Sequence, residues 1–336
     1  MSLRRFHRFA RPAAPLLALA FAGAVQAQTY TVSSITANTP NLGNVVSATT
    51  GDTIFTITAS TGAVTRASGT GVRVTTGTTR ATVTVACGNF SSCTSTNVDV
   101  RVGSIGTPTG RGKALTNFNV GMGTATLVTA ASGTNPISFR LGPIGRSSSK
   151  TFYVGANFPI AADNSGVATG AASSRFYVYV APAGTTPTTG STAGTAIATV
   201  YRPIAVSLGS NLAFGSIIRP LSGSGTVTVA AANGARTLSG AGALNIPAPA
   251  RAVYNVTGEG GQAFSVAVPA SFVMNRTGGG SLTVTTSTTA TASQTLSAAL
   301  GSAGSYSFGV GGSFPLTNTT QTGAYSGSFS VTVQYN

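Results

Sequence analysis

Short runs in which apolar and polar residues alternate recur along this chain. They include Thr53–Ile57 (TIFTI), Ala81–Val85 (ATVTV), Val98–Val102 (VDVRV), Phe176–Val180 (FYVYV), Thr226–Val229 (TVTV), Phe264–Val268 (FSVAV) and Phe329–Val333 (FSVTV). A period of two sends successive side chains to opposite faces, so each run predicts a strand with one face on a core and the other in water. Turn clusters such as Gly258–Gly261 (GEGG) and Thr277–Gly280 (TGGG) punctuate the runs. No stretch carries the period and caps of an ordinary helix. Regular short strands with glycine-rich turns predict antiparallel β-sandwiches of immunoglobulin-like type rather than a parallel α/β sheet.

The pattern also repeats at long range. Thr169–Val180 (TGAASSRFYVYV) and Thr322–Val333 (TGAYSGSFSVTV) share one frame, and FYVGANFPI ending at Ile160 matches FGVGGSFPL ending at Leu316. Gly62–Gly71 (GAVTRASGTG) resembles Gly234–Gly242 (GARTLSGAG) with one gap. Ordered matches of this kind indicate a duplicated domain. Between the copies, Ala181–Gly194 (APAGTTPTTGSTAG) has the composition of a linker and no apolar period. The expected organisation is a first sandwich over residues 28–181, a linker over 182–194 and a second sandwich over 195–336. The apolar run Ala196–Leu208 opens the second domain in this scheme. Its segment Ile197–Val206 has an alternative role, completing the first domain.

The N-terminus adds a targeting expectation. Arg4, Arg5, Arg8 and Arg11 precede the apolar run Pro15–Val25 and then Val25-Gln26-Ala27, the order of a cleaved secretory signal over residues 1–27. The apolar run is about half of the ~20 residues a membrane-spanning helix needs, so no transmembrane span is expected. Export makes an oxidising environment, in which Cys87 and Cys93 (CGNFSSC), the only two cysteines, are expected to pair. Without the four signal arginines, 15 of the 19 Lys and Arg remain against 4 Asp and Glu. The resulting positive charge is scattered singly (Arg66, Arg73, Arg80, Arg101, Arg140, Arg202, Arg251). It forms no basic stripe with stacking aromatics, which argues against a nucleic-acid partner.

Catalysis is short of parts. The one histidine, His7, lies in the expected signal, which removes Ser-His-Asp, Cys-His and histidine–zinc schemes. The carboxylates Asp52, Asp163 and Glu259 sit in Gly- or Asn-containing turns, where they read as solvated punctuation, and Asp99 alternates outward beside Arg101. Such dispersed carboxylates make no glycosidase pair and no calcium cage. The expectation is a non-enzymatic protein with no cofactor and no metal.

The C-terminus carries the sharpest pattern. From Gly323 every second residue reads Gly323, Tyr325, Gly327, Phe329, Val331, Val333, Tyr335, with small or polar residues between. This predicts one extended ribbon with its odd-numbered side chains turned inward. The segment resembles the last strand of subunits assembled by the periplasmic chaperone–usher pathway, with a penultimate tyrosine and a glycine at the fourteenth place from the end. The region from Thr195 onward, with Ala198–Leu208 followed by Asn211–Gly215 (NLAFG), also resembles a family of exported Gram-negative bacterial proteins known mainly as a domain of unknown function.

The resemblance implies a pilin-like sandwich that lacks one strand and is completed by strand addition. Chaperone, usher and neighbouring subunits are the implied partners, and a host or surface glycan is a further candidate. The setting is the periplasm in transit and then the cell surface. Thr29–Ile35 (TYTVSSI) is a candidate donor strand. The expected function is a structural or adhesive subunit of a fimbria-like assembly. The alternatives are a secreted or envelope-associated binding protein that never polymerises, and an outer-membrane barrel, for which the aromatic content is low.

Overall fold

A computed structural model describes residues 30–35, 39–188 and 192–336. The expected signal and its cleavage site lie outside the described residues. Among the described residues the regular structure is all β apart from two short 3-10 turns, Ser91–Thr94 and Asp163–Ser165. No helix among them is long and apolar enough to cross a membrane.

The first half contains β1 (Tyr30–Ile35), β2 (Asn41–Val46), β3 (Thr53–Ile57), β4 (Val64–Ser68), β5 (Val72–Arg73), β6 (Ala81–Cys87) and β7 (Val98–Thr109). It continues with β8 (Thr116–Met122), β9 (Leu127–Gly133), β10 (Ile137–Leu141), β11 (Ser148–Ile160), β12 (Gly170–Pro182) and β13 (Thr192–Tyr201). The second half opens with β14 (Ala205–Ser210), β15 (Ile217–Ile218), β16 (Ser224–Val229), β17 (Arg236–Ser239), β18 (Gly242–Ala243) and β19 (Ala252–Glu259). The remaining strands are β20 (Ala263–Ala267), β21 (Ser271–Arg276), β22 (Ser281–Thr288), β23 (Ser293–Thr295), β24 (Ala303–Thr317), β25 (Tyr325–Ser326) and β26 (Thr332–Tyr335).

Two sheets face each other in the first sandwich, ordered β1-β6-β11-β3-β4 and β5-β2-β13-β12-β7-β10-β9, with β8 on β11. The alternating runs point inward as the period of two requires; β6, for example, buries every odd-numbered side chain from Ala81 to Cys87. One continuous apolar cluster results, running from Tyr30 to Val200 and centred on Phe55, Phe152, Phe158 and Phe176. Cys87 and Cys93 form a disulfide inside it, closing the Ser91–Thr94 turn.

The domain boundary differs from the expected one. Thr192–Tyr201 is not the start of the second domain but an interior strand of the first, antiparallel to β12 and parallel to β2. Gly194, Ala196, Ala198 and Val200 face the core. The end of the expected linker at 182–194 is therefore strand: Thr192, Ala193 and Gly194 pair with Val178, Tyr177 and Phe176 of β12. The physical reason is packing: Gly194 lies over Phe176, where a Cβ would come within 2.2 Å of the ring. Only a strand with small inward residues fits that position. The β2–β13 pairing also makes the sandwich mixed rather than purely antiparallel.

In the second sandwich the large sheet runs β14-β19-β24-β22-β21-β25, with β16 on β24 and β17 on β16. A small sheet β23-β20-β26 and the pair β15-β18 complete it. The duplication is visible atom by atom. Gly155 in β11 and Gly311 in β24 each leave no room for a Cβ against a carbonyl, Ile57 O and Val229 O respectively. Arg80 donates to Ala59 O at 2.9 Å and Arg251 to Ala231 O at 2.8 Å. Likewise β2 pairs with β5 as β15 pairs with β18, and β1 pairs with β6 as β14 pairs with β19.

Candidate functional site

The duplication makes a position-by-position comparison of the two sandwiches meaningful. In the first, β13 lies between β2 and β12. The matching flanks in the second are Asn211–Ile218 and the C-terminal segment from Thr322. No strand pairs between them among the described residues.

A groove of about 880 Å³ opens there. One bank is Leu212, Phe214 and Ile217, and the other is Tyr325, Gly327 and Phe329. Its floor includes Phe272, Met274, Leu282 and Phe314. Leu208, at the end of β14, borders it and is 53% exposed. The core of the second sandwich is accordingly split into two clusters. One holds Phe214, Val227, Met274 and Phe314, the other Val256, Phe264, Phe308 and Val310, and side chains of both line or border the gap. Residues that would be fully buried in a closed sandwich are half-buried here, Phe272, Tyr254 and Phe329 among them. An open apolar gap with unpaired strand edges is an aggregation hazard unless something fills it.

The C-terminal segment is where the expected ribbon is corrected. It forms two short strands rather than one: Tyr325–Ser326 pairs with β21 and Thr332–Tyr335 with β20. Between them the chain crosses from one sheet to the other, passing so close to β21 that a Cβ on Gly327 would lie 2.3 Å from Val273 O. Among the described residues no strand lies on its open side, as β13 lies beside β12. The alternation itself survives: Tyr325, Phe329, Val331, Val333 and Tyr335 are half-buried and pack on the two clusters, while the even-numbered neighbours are exposed. Gly323 does not face inward; it is exposed, at φ +141° beside the Arg276 side chain.

Tyr335 fastens the end of this segment to the junction of the two sandwiches. Its hydroxyl donates to Arg202 O at 3.0 Å and accepts from Glu259 N–H at 2.7 Å. Burial raises its pKa above the ordinary tyrosine value of 10.0, and the neutral hydroxyl is the form that can donate. Arg202 N–H donates to Glu259 Oε2 at 3.0 Å, and Gly301 N–H donates to Oε1 at 2.6 Å. Arg202 also pairs with Asp163 at 2.8 Å, which is shared with the fully buried Arg111 at 2.6 Å.

Glu259 is therefore not solvated punctuation. It is 0% exposed and serves the junction. The other carboxylates are engaged too, Asp52 by Lys113 and Asp99 by Arg140 rather than by its sequence neighbour Arg101. Among the described residues no three His, Cys, Asp or Glu side chains converge.

Residues 204–335 match the model of a family described as a domain of unknown function, DUF4402. The match covers the second sandwich, beginning just after β13, and the first sandwich lies outside it. No curated protein matches the chain. Among solved structures, one described as a chaperone–tip adhesin complex vital for synergistic activation of CFA/I fimbriae biogenesis aligns at 11% identity and a TM-score of 0.24. The alignment covers 89% of this chain and 97% of that one.

Thr29–Ile35 was a candidate donor, but its described part, β1, is committed to the first sandwich: it pairs with β6, and Tyr30 is buried in the core. Sequence reasoning marks Asn211–Gly215 only by resemblance, with no place at a groove, and misses the Arg202 junction. The Asn-Leu pair at 41–42 and 211–212 and the Arg-Ala pair at 80–81 and 251–252 were the available signals.

Proposed function

We propose that this protein is an exported, non-enzymatic surface subunit whose second sandwich accepts an extended strand from another protein. The observation that carries the reading is the groove between Asn211–Ile218 and Tyr325–Phe329, at the position that β13 fills in the first sandwich. The first sandwich serves as the template for the filled state. An incoming strand would run antiparallel to the C-terminal segment and parallel to Asn211–Ile218, as β13 does to β12 and β2. It would present alternating apolar side chains to the floor and a small residue over Phe329, the counterpart of Gly194 over Phe176.

Strand addition of this kind supplies main-chain hydrogen bonds for affinity and side-chain pockets for specificity. Within this reading a periplasmic chaperone shields the groove in transit, and a neighbouring subunit fills it in a fimbria-like assembly at the cell surface. The alternating C-terminus and the engagement of all four carboxylates in ion pairs or backbone contacts support a structural role over a catalytic one.

The test uses the mature protein and two synthetic peptides. One has the sequence of Thr192–Tyr201, and the other carries leucine in place of Ala196 and Ala198 to suit the wider groove. Saturable binding in calorimetry is expected, with the leucine version tighter and a scrambled version inert. If neither alternating peptide binds, or the scrambled one binds equally, the acceptor reading is wrong.

A further inference from the structure

The outer face of the first sandwich holds a second feature, unconnected with the groove. Tyr177 and Tyr179, two apart on β12, stack with ring centroids 4.3 Å apart and planes inclined by 23°. Both are half-exposed, and Tyr177 leans over Gly103 of β7, where a Cβ would meet its hydroxyl at 2.7 Å. The glycine is thus what lets the ring lie across the sheet. Tyr153 is on the other sheet, beneath Arg80.

Two arginines bracket the stack. Arg101 is opposite Tyr179 in the β7–β12 register, and Arg175 is one pleat beyond Tyr177. Strand rise separates their backbones by roughly 14 Å along the sheet. Neither guanidinium has a hydrogen bond, ion pair or ring contact among the described residues, whereas each other described arginine binds a carbonyl, an amide or a carboxylate. Asp99, the carboxylate on this face, cannot neutralise them. It is held bidentate by Arg140 at 2.6 and 3.0 Å and also accepts from Gly184 N–H. The cross-strand neighbours Ser138, Ala193 and Thr195 are small, and Ile105, exposed, lies opposite Arg175.

We infer that this face binds an acidic polysaccharide, with sugar rings laid on Tyr177 and Tyr179 and carboxylate or sulfate groups taken by Arg101 and Arg175. The planar guanidinium pairs bidentately with carboxylates and with tetrahedral oxyanions, and aromatic rings offer an apolar body with a polar tip to a sugar. Two isolated cations on either side of a short platform suit a chain with spaced anionic groups. A continuous phosphate backbone would call for a basic stripe, and none is present. The inference does not depend on strand acceptance, because this face and the groove share no residue.

The experiment measures binding of the mature protein to hyaluronate and polygalacturonate oligosaccharides, with dextran and single-stranded DNA as comparisons. Binding to the acidic saccharides is expected, weakening as salt rises. Arg101→Gln and Arg175→Gln should each lower affinity about fivefold or more, the scale of one charge-assisted contact at an exposed site. Tyr177→Ser should do likewise, Arg66→Gln on the opposite sheet should change nothing, and peptide binding in the groove should be untouched in all four. The inference is overturned by no binding to either acidic saccharide, by equal binding to dextran, by tighter binding to DNA, or by affinity that ignores the Arg101 and Arg175 variants.

Discussion

The two sandwiches repeat the same pairings, β1–β6 as β14–β19 and β2–β5 as β15–β18, and they part company most clearly where β13 lies. The first owns β13, and its apolar residues form one continuous core in which Phe176 is 0% exposed. The second has no counterpart among the described residues, its core falls into two clusters, and Phe329, the match of Phe176, stands half-buried on the bank of a groove. The same C-terminal frame thus becomes a straight interior strand in one copy and a broken edge segment in the other. A strand paired on both sides is held by two ladders, whereas an edge segment leaves a row of N–H and C=O groups unpaired.

The harshest way to break the comparison is to give the first sandwich the second one's defect. Deleting Thr192–Tyr201 should leave it insoluble or molten, exposing the β2 and β12 edges together with the core floor. Soluble expression and a cooperative unfolding curve for that deletion would show that β13 is dispensable. Next in size is a matched pair of truncations. Phe176→Ala should cost about 3–5 kcal/mol as a buried aromatic does. Phe329→Ala should cost about 1–2 kcal/mol while the groove is open. Urea unfolding of the two variants measures the gap, and equal costs would contradict an unfinished second core.

Much of this was legible in the alternation of side chains, because a period of two is a local property. TIFTI, ATVTV, VDVRV and FYVYV all lie in strands. β9 was not legible, since all seven of its residues are exposed and no face is marked. The allegiance of β13 was hidden for another reason. Its inward residues are Gly, Ala, Ala and Val, so Gly194 and its surroundings read as linker until Phe176 is seen to need that space. Glu259 was misplaced because its partner Arg202 is 57 residues away and the local GEGG context mimics a turn. The inward face of Tyr325–Tyr335 could be read in advance; the empty position beside it could not, because a missing neighbour leaves no mark on the strand that lacks it.

Two smaller effects sharpen the contrast. The disulfide belongs to the first sandwich alone. Replacing Cys87 and Cys93 by serine should lower that domain's stability by roughly 2 kcal/mol, as expected for a short closed loop. The second domain's transition in the same calorimetric scan should not move. Tyr335 belongs to the second sandwich and the junction. Because its folded pKa is raised, its contribution is complete below the ordinary tyrosine value of 10.0 and is lost as pH rises through the folded value. Alkaline titration should loosen the C-terminal segment in the native protein. Tyr335→Phe, about 1 kcal/mol less stable at neutral pH, should lack that alkaline step.

Amide hydrogen exchange compares the two C-terminal frames most directly. Amides of Ser173–Val178, paired on both sides, should exchange slowly, whereas those of Gly323–Val331 should exchange much faster and slow sharply once the leucine-bearing strand peptide is added. Equal protection of the two segments in the protein alone would mean the second sandwich is already complete, and the acceptor account would fail.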